Sequence, residues 1–332
     1  MPGSWFPTPG SHPDAGYAMW NVLDILGPVF LIIALGAALR KSGFMSGEML
    51  IQANRLVYWV GLPIVLFQGI AKRSFSAEAA GPLLVGAGGM LACAAAAMVL
   101  AIAMRMDRRM LGSFVHVAFR GNLAYVGLAV IASAFPRTAA GENPVAGTAA
   151  LVMSALMLFY NVLAVIVLSA GRHKNMGATL KHMLVQIAIN PLILACVAGA
   201  IVALVHEHAG LAVPRVIDKT LTSTGVFASP LALLCVGGAL VSTPLRGRII
   251  PATLAAGIKV GVGTAVGVLL AGALGLNADQ RAVALIFLAC PTAVATYVLT
   301  EQLDGDGPLS AAGIVISTLM SAVSLAIVVA MI

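Results

Sequence analysis

Two apolar stretches of this chain are interrupted by helix breakers at matching places. One reads Phe119-Arg120-Gly121-Asn122-Leu123-Ala124-Tyr125-Val126-Gly127. The other reads Leu288-Ala289-Cys290-Pro291-Thr292-Ala293-Val294-Ala295-Thr296. A broken helix frees backbone N–H and C=O groups that hydrocarbon cannot satisfy, so they must face protein, water or solute. Matching interruptions in two halves of an apolar chain point to a solute site near a membrane midplane.

Composition sets the membrane context. Hydrophobic residues make up 60% of the chain, charged residues 9%, and the mean hydropathy is +1.01. Soluble domains carry about 25% charged residues, so this is a polytopic, all-α membrane protein. The pI near 9.5 reflects loops. Basic residues are scattered, without the stripe a nucleic-acid partner requires. Cys93, Cys196, Cys235 and Cys290 all fall in apolar runs without metal spacing and read as packing residues. No cofactor is implied. Residues 1–23 read as an extracytoplasmic tail, since a secretory signal would open on positive charge and this segment has none before residue 24.

A membrane span needs about 20 apolar residues. Ten such runs are predicted, near 24–40, 49–71, 80–104, 111–135, 146–170, 184–206, 217–242, 250–275, 280–302 and 309–331. The connection 171–183 divides them into halves, 24–170 and 184–332. Basic residues favour the cytoplasmic side. The odd-numbered connections hold Arg40, Lys41, Arg105, Arg108, Arg109, Arg172, Lys174, Lys181, Arg246 and Arg248. The other side holds Lys72, Arg73, Arg137, Arg215, Lys219 and Arg281. Both termini are therefore expected outside. Five spans per half is an odd number, which inverts the second half relative to the first. The segment Gly61-Leu62-Pro63 to Gly69 parallels Ala228-Ser229-Pro230 to Gly237, and the broken fourth span parallels the broken ninth.

If the fourth and ninth spans cross at their breaks, each presents a half-helix N-terminus whose free N–H groups attract anions. Pro291 suits a helix start, and Gly121 permits close approach of a solute. Asn122 offers both a capping oxygen and an amide. Thr292 and Thr296 are the polar groups of the other break, although each can instead bond back to its own helix. Arg120 lies roughly 13 Å into its span at 1.5 Å per residue, near the middle of a ~30 Å core. There it suits a carboxylate, or it reaches back to water or to broken-helix carbonyls. Lys259 is similarly deep and reads as a snorkelling or packing residue. His116 reads as a bonded core histidine or a proton site. No Asp or Glu lies deep in any span, which disfavours cation substrates and tight ion coupling. Gly257xxxGly261 and Gly263xxxGly267 allow close packing inside the monomer and leave a homodimer open.

These segments resemble the auxin efflux carrier family, which includes plant PIN auxin exporters and bacterial carriers of organic acids such as malonate and malate. The resemblance runs from about residue 25 to 331. It is carried by Gly61–Gln68, Gly121–Leu128, Ser229–Leu240 and Cys290–Thr296. It implies the crossover architecture shared with bile-acid carriers, with a scaffold part and a transport part. It also implies solute contact at Asn122 and a helix break at Pro291. Gly121, Ala129, Thr292 and Thr296 depart from the plant exporters, and the long hydrophilic middle loop is missing, so a bacterial-type member of the inner membrane is expected.

The resulting expectation is a carrier of a small organic anion, a carboxylate, working by alternating access and driven by membrane potential. The candidate site is Arg120, Gly121, Asn122, Tyr125, Pro291, Thr292 and Thr296, with Gln68 as a wall residue. A Na⁺- or H⁺-coupled organic-acid symporter is the main rival, and a membrane solute sensor a lesser one. No clustered nucleophile and base, and no carboxylate pair in the spans, point to an enzyme.

Overall fold

The computed structural model describes residues 15–71, 77–135, 143–169, 189, 191–209, 213–242 and 248–332. The linker 171–183, the start of the expected sixth span, the loop basic residues Lys72, Arg73, Arg137, Arg172, Lys174, Lys181 and Arg246, and residues 1–14 lie outside these. The described chain is helical throughout, and its one β-type pairing is an isolated bridge. The helices are α1 (Ala15–Lys41), α2 (Gly47–Leu56), α3 (Leu62–Ala71), α4 (Ala80–Ala103), α5 (Arg108–Phe119), α6 (Leu128–Ala134), α7 (Pro144–Ser169), α8 (Pro191–Ala209) and α9 (Arg215–Gly225). There follow α10 (Ala228–Ser242), α11 (Ile249–Gly257), α12 (Gly263–Ala273), α13 (Ala278–Ala289), α14 (Ala295–Gln302) and α15 (Gly307–Met331). Wider π turns at Val57–Gly61, Leu123–Gly127 and Ile258–Val262 join α2 to α3, open α6, and join α11 to α12. Such turns recur at functional sites.

Seven helical stretches are long and apolar enough to cross a membrane, against the ten runs read from sequence. The difference has a local cause. The expected fourth span is divided between α5 and the Leu123–Ala134 segment, and the ninth between α13 and α14. Each piece is too short to span alone. The sixth is described only from residue 189 onward. The helix α1 also begins at Ala15, inside the expected tail, where residues 15–23 contain no proline.

Helix starts are set by side-chain caps. Asp107 accepts from Arg109 N and Met110 N ahead of α5, and Asn277 forms a reciprocal box with Gln280 ahead of α13. Before each of these caps the preceding helix ends the same way, with Arg105 (φ 53°) and Gly275 (φ 61°) in the left-handed region. Glycine adopts that conformation freely. An arginine there costs about 1–2 kcal/mol. Asn143 caps α7 through Ala146 N, and Asp306 caps α15 through Leu309 N.

The helices pack as two groups. In one, α1 lies along α10 and α3 along α8, with α2 and α9 alongside. In the other, α4, α5, α7, α11, α12, α13 and α15 surround a core that includes Phe114, Phe119, Met153, Leu156 and Phe287. The first group is held by backbone contact. A methyl group at Gly36 would overlap the Leu234 carbonyl, and one at Gly237 the Ile33 carbonyl, so α1 and α10 touch main chain to main chain. In the other pair a methyl at Gly199 would sit 2.9 Å from the Phe67 carbonyl. Small residues allow such approach in lipid, where packing and not water drives association. The π turn Leu123–Gly127 packs on α10, which sets the fourth-span break on the seam between the groups.

Candidate functional site

The two breaks meet. Asn122 N donates to the Pro291 carbonyl (2.7 Å) and Ala293 N donates to the Arg120 carbonyl (3.0 Å), so Gly121 and Thr292 form an antiparallel bridge. Each break ends a helix in the same manner, with Arg120 N on the His116 carbonyl and Cys290 N on the Ile286 carbonyl. Both breaking residues then take extended backbone. The bridge satisfies part of what the breaks free, as buried backbone groups require. A side chain at Gly121 would crowd Leu123 Cδ2 at 3.0 Å, the Tyr160 hydroxyl at 3.2 Å and the Phe287 carbonyl at 3.3 Å.

Side chains stitch the remaining groups. Thr292 Oγ1 donates to the Val117 carbonyl at the end of α5 (2.9 Å), and its N–H donates to Ser317 Oγ (2.9 Å). Thr292 thus bonds across to the other broken span and not back to its own. Ser324 Oγ donates to the Ala289 carbonyl (2.9 Å). Asn122 Oδ1 accepts from Tyr125 N (3.3 Å), capping the second half of its span. Its Nδ2 has no partner among the described residues. Thr296 donates its N–H to the Ala293 carbonyl, while its Oγ1 is fully buried without a partner. Unsatisfied buried groups are rare and call for an explanation. Tyr125 is half-buried on the π turn.

Arg120 neither snorkels nor binds the broken carbonyls. It is 8% exposed, with Nη2 donating to Asn161 Oδ1 (3.0 Å) and Nη1 beside His116 Nε2 (3.4 Å). The contact continues from His116 Nδ1 to Thr300 Oγ1 (3.4 Å) and on to Ser310 Oγ (2.9 Å). Lys259 does not snorkel either. It is 1% exposed, and its Nζ donates to the Leu288 carbonyl (2.7 Å) at the end of α13. These two are the buried Lys and Arg among the described side chains, and no described carboxylate contacts either one.

Gln68 stands apart from the breaks. Its Nε2 lies 2.8 Å from Thr222 Oγ1 and 3.3 Å from Asp218 Oδ1, which ties α3 to α9. No described contact joins it to Asn122 or Pro291. Asn161 and Ser324 escaped the sequence reading because a lone polar residue in an apolar run carries no periodic signal. The two glycine pairs also separate: Gly263 and Gly267 pack against Cys93 and Leu288, while Gly261 faces open space. No cluster of His, Cys, Asp or Glu fit to hold a metal occurs among the described residues.

Apolar helices long enough to span, with two interrupted helices joined at a buried polar centre, define a multi-pass membrane protein of the transport class. The family model for membrane transport proteins, the auxin efflux carrier family, matches residues 22–329, and the chain belongs to that family. A search of the curated proteins finds no match.

Proposed function

We propose that this protein carries a small organic anion, a carboxylate, across the bacterial inner membrane by alternating access, with flux driven by the membrane potential. The observation that carries the reading is charge. Arg120 and Lys259 are buried near the two breaks, and no described carboxylate contacts either one. A charge held in hydrocarbon without a counter-ion is costly, and an anionic solute supplies one. The half-helix opening at Leu123 adds the positive end of a dipole. Solute would meet Arg120, the Asn122 amide, the backbone at Gly121 and Pro291, and the free Thr296 hydroxyl, with Tyr125 at the seam. Thr292 acts as the stitch between the breaks.

The architecture proposed for this activity is ten spans in two inverted five-helix repeats, the fourth and ninth crossing, with both termini outside. Constant spacing supports it. Arg105 and Gly275, Asp107 and Asn277, and the helix ends Phe119 and Ala289 are each 170 residues apart. Gly36 and Gly199, the caps Asn143 and Asp306, and the break-binding Asn161 and Ser324 are each 163 apart. The group holding α1, α3, α8 and α10 would be the scaffold, and the other the moving part.

The test is flux of radiolabelled mono- and dicarboxylates into proteoliposomes at imposed potentials, with and without Na⁺ or pH gradients. At ~2.3 kcal/mol per charge per 100 mV, an inside-negative potential drives anion export, and saturable flux on potential alone is the expected result. Flux that requires an ion gradient would replace this mechanism with the symporter, and no carboxylate flux at all would overturn the anion assignment.

A further inference from the structure

Lys259 sits at a place where a coupled carrier would bind its ion. Half-helix C-terminal ends gather backbone carbonyls that coordinate Na⁺ in secondary transporters. Here the C-terminal end of α13, at the ninth-span break, is occupied by a side chain instead. Lys259 Nζ donates to the Leu288 carbonyl at 2.7 Å, and the residue is almost fully enclosed. The stem leaves the π turn Ile258–Val262, which packs on α4, α5, α13 and α15. Cys93 Sγ closes the other side, 3.5 Å from the Ile258 carbonyl.

The first repeat builds the same break without an ammonium. The position 170 residues before Lys259 is Gly89, where even a methyl group would lie 2.6 Å from Leu288 Cδ2. The corresponding carbonyl end, on α5, is served by the neutral Thr292 hydroxyl at Val117. A broken span in this fold therefore closes without a lysine. The ammonium does something additional, on one side only, at the negative end of a helix dipole.

We propose that the Lys259 ammonium is the resident cation of the ninth-span break: it stands permanently where a coupled alkali cation would bind, and so makes the carrier independent of Na⁺. The inference rests on the carrier reading above. Lys259 is a positioning residue. It holds the α13 end, and through it Cys290 and Pro291, in the geometry that faces solute, and the site keeps that geometry on the return step without waiting for an ion.

Two measurements on the full chain test this. The first is potential-driven carboxylate flux for the wild type, Lys259→Arg, Lys259→Met and Lys259→Ala, in Na⁺ or in choline at equal ionic strength. Wild-type flux is expected to be the same in both. Lys259→Met, of similar shape but uncharged, is expected to lose at least tenfold while remaining monodisperse, and Lys259→Arg to retain a larger share. In Lys259→Ala, Na⁺ or n-propylammonium is expected to restore several-fold of the lost flux. The second measurement is the melting temperature in detergent, which needs no substrate. n-Propylammonium or Na⁺ should raise it for Lys259→Ala and leave the wild type unchanged. Lys259→Met flux within twofold of wild type, wild-type flux that requires Na⁺, or a Lys259→Ala melting temperature blind to both cations would overturn the proposal. If the wild type moves no carboxylate, the carrier reading fails by itself, and the melting measurement still decides the role of Lys259.

Discussion

Replacing Arg120 by methionine removes one charge and one fork of donors from the centre of the broken fourth span. The Nη2 bond to Asn161 Oδ1 (3.0 Å) and the contact with His116 both disappear. A hydrogen bond to a charged group contributes about 1.5–3 kcal/mol. If Arg120 meets a solute carboxylate, the half-saturation concentration should rise roughly 10- to 150-fold by that amount. A separate effect falls on stability, because Asn161 Oδ1 is left unpaired at a cost of about 1–3 kcal/mol. The double variant Arg120→Met/Asn161→Leu removes both partners, so it should recover much of the melting temperature and none of the flux. Arg120→Lys keeps the charge but loses the two-pronged geometry, and should fall between. The assay is concentration-dependent uptake into proteoliposomes, beside thermal melting of the same preparations. Unchanged half-saturation in a monodisperse Arg120→Met protein would refute the solute role, and flux recovered in the double variant would assign Arg120 a structural role alone.

Two other outcomes follow from single contacts. Asn122→Asp retains an oxygen for the Tyr125 N–H, so it should melt near the wild type, yet it sets a negative charge where a carboxylate binds and should abolish flux. Asn122→Ala loses the cap, at about 1 kcal/mol, as well as flux. Equal flux in wild type and Asn122→Asp would argue against an anionic solute. Gly237→Val drives a side chain into the Ile33 carbonyl and must separate α1 from α10. It should destabilise by at least the ~1–3 kcal/mol typical of overpacking, whereas Gly261→Ala, facing open space, should leave melting unchanged. Equal melting of the two glycine variants would remove backbone contact as the basis of that helix pair.

Sequence alone determined the membrane class and the two places where helices break. These follow from short-range chemistry: hydrocarbon excludes charge, a helix must be about 20 residues long to cross it, and the Arg120-Gly121-Asn122 and Cys290-Pro291-Thr292 segments are poor helix formers. The same residues carried the family resemblance that the family model supports. Partner choice was not legible there. The sequence offers Thr292 to a solute or to its own helix, and only the assembled fold brings it to Val117, 175 residues away. Lys259 reads as a snorkelling or packing residue, and only the packing of α13 on the turn that bears it brings the Leu288 carbonyl within 2.7 Å. The sequence likewise gives no sign that the Gln68 amide bonds to α9. Asn161 gives no sign of itself in an apolar run, and becomes significant once the bend at Arg120 turns a guanidinium toward it. Breaks are local properties of a few residues. The contacts that satisfy them depend on which distant backbone and side-chain groups the packing of whole helices brings within hydrogen-bond reach, and for that reason only the tertiary structure decided them.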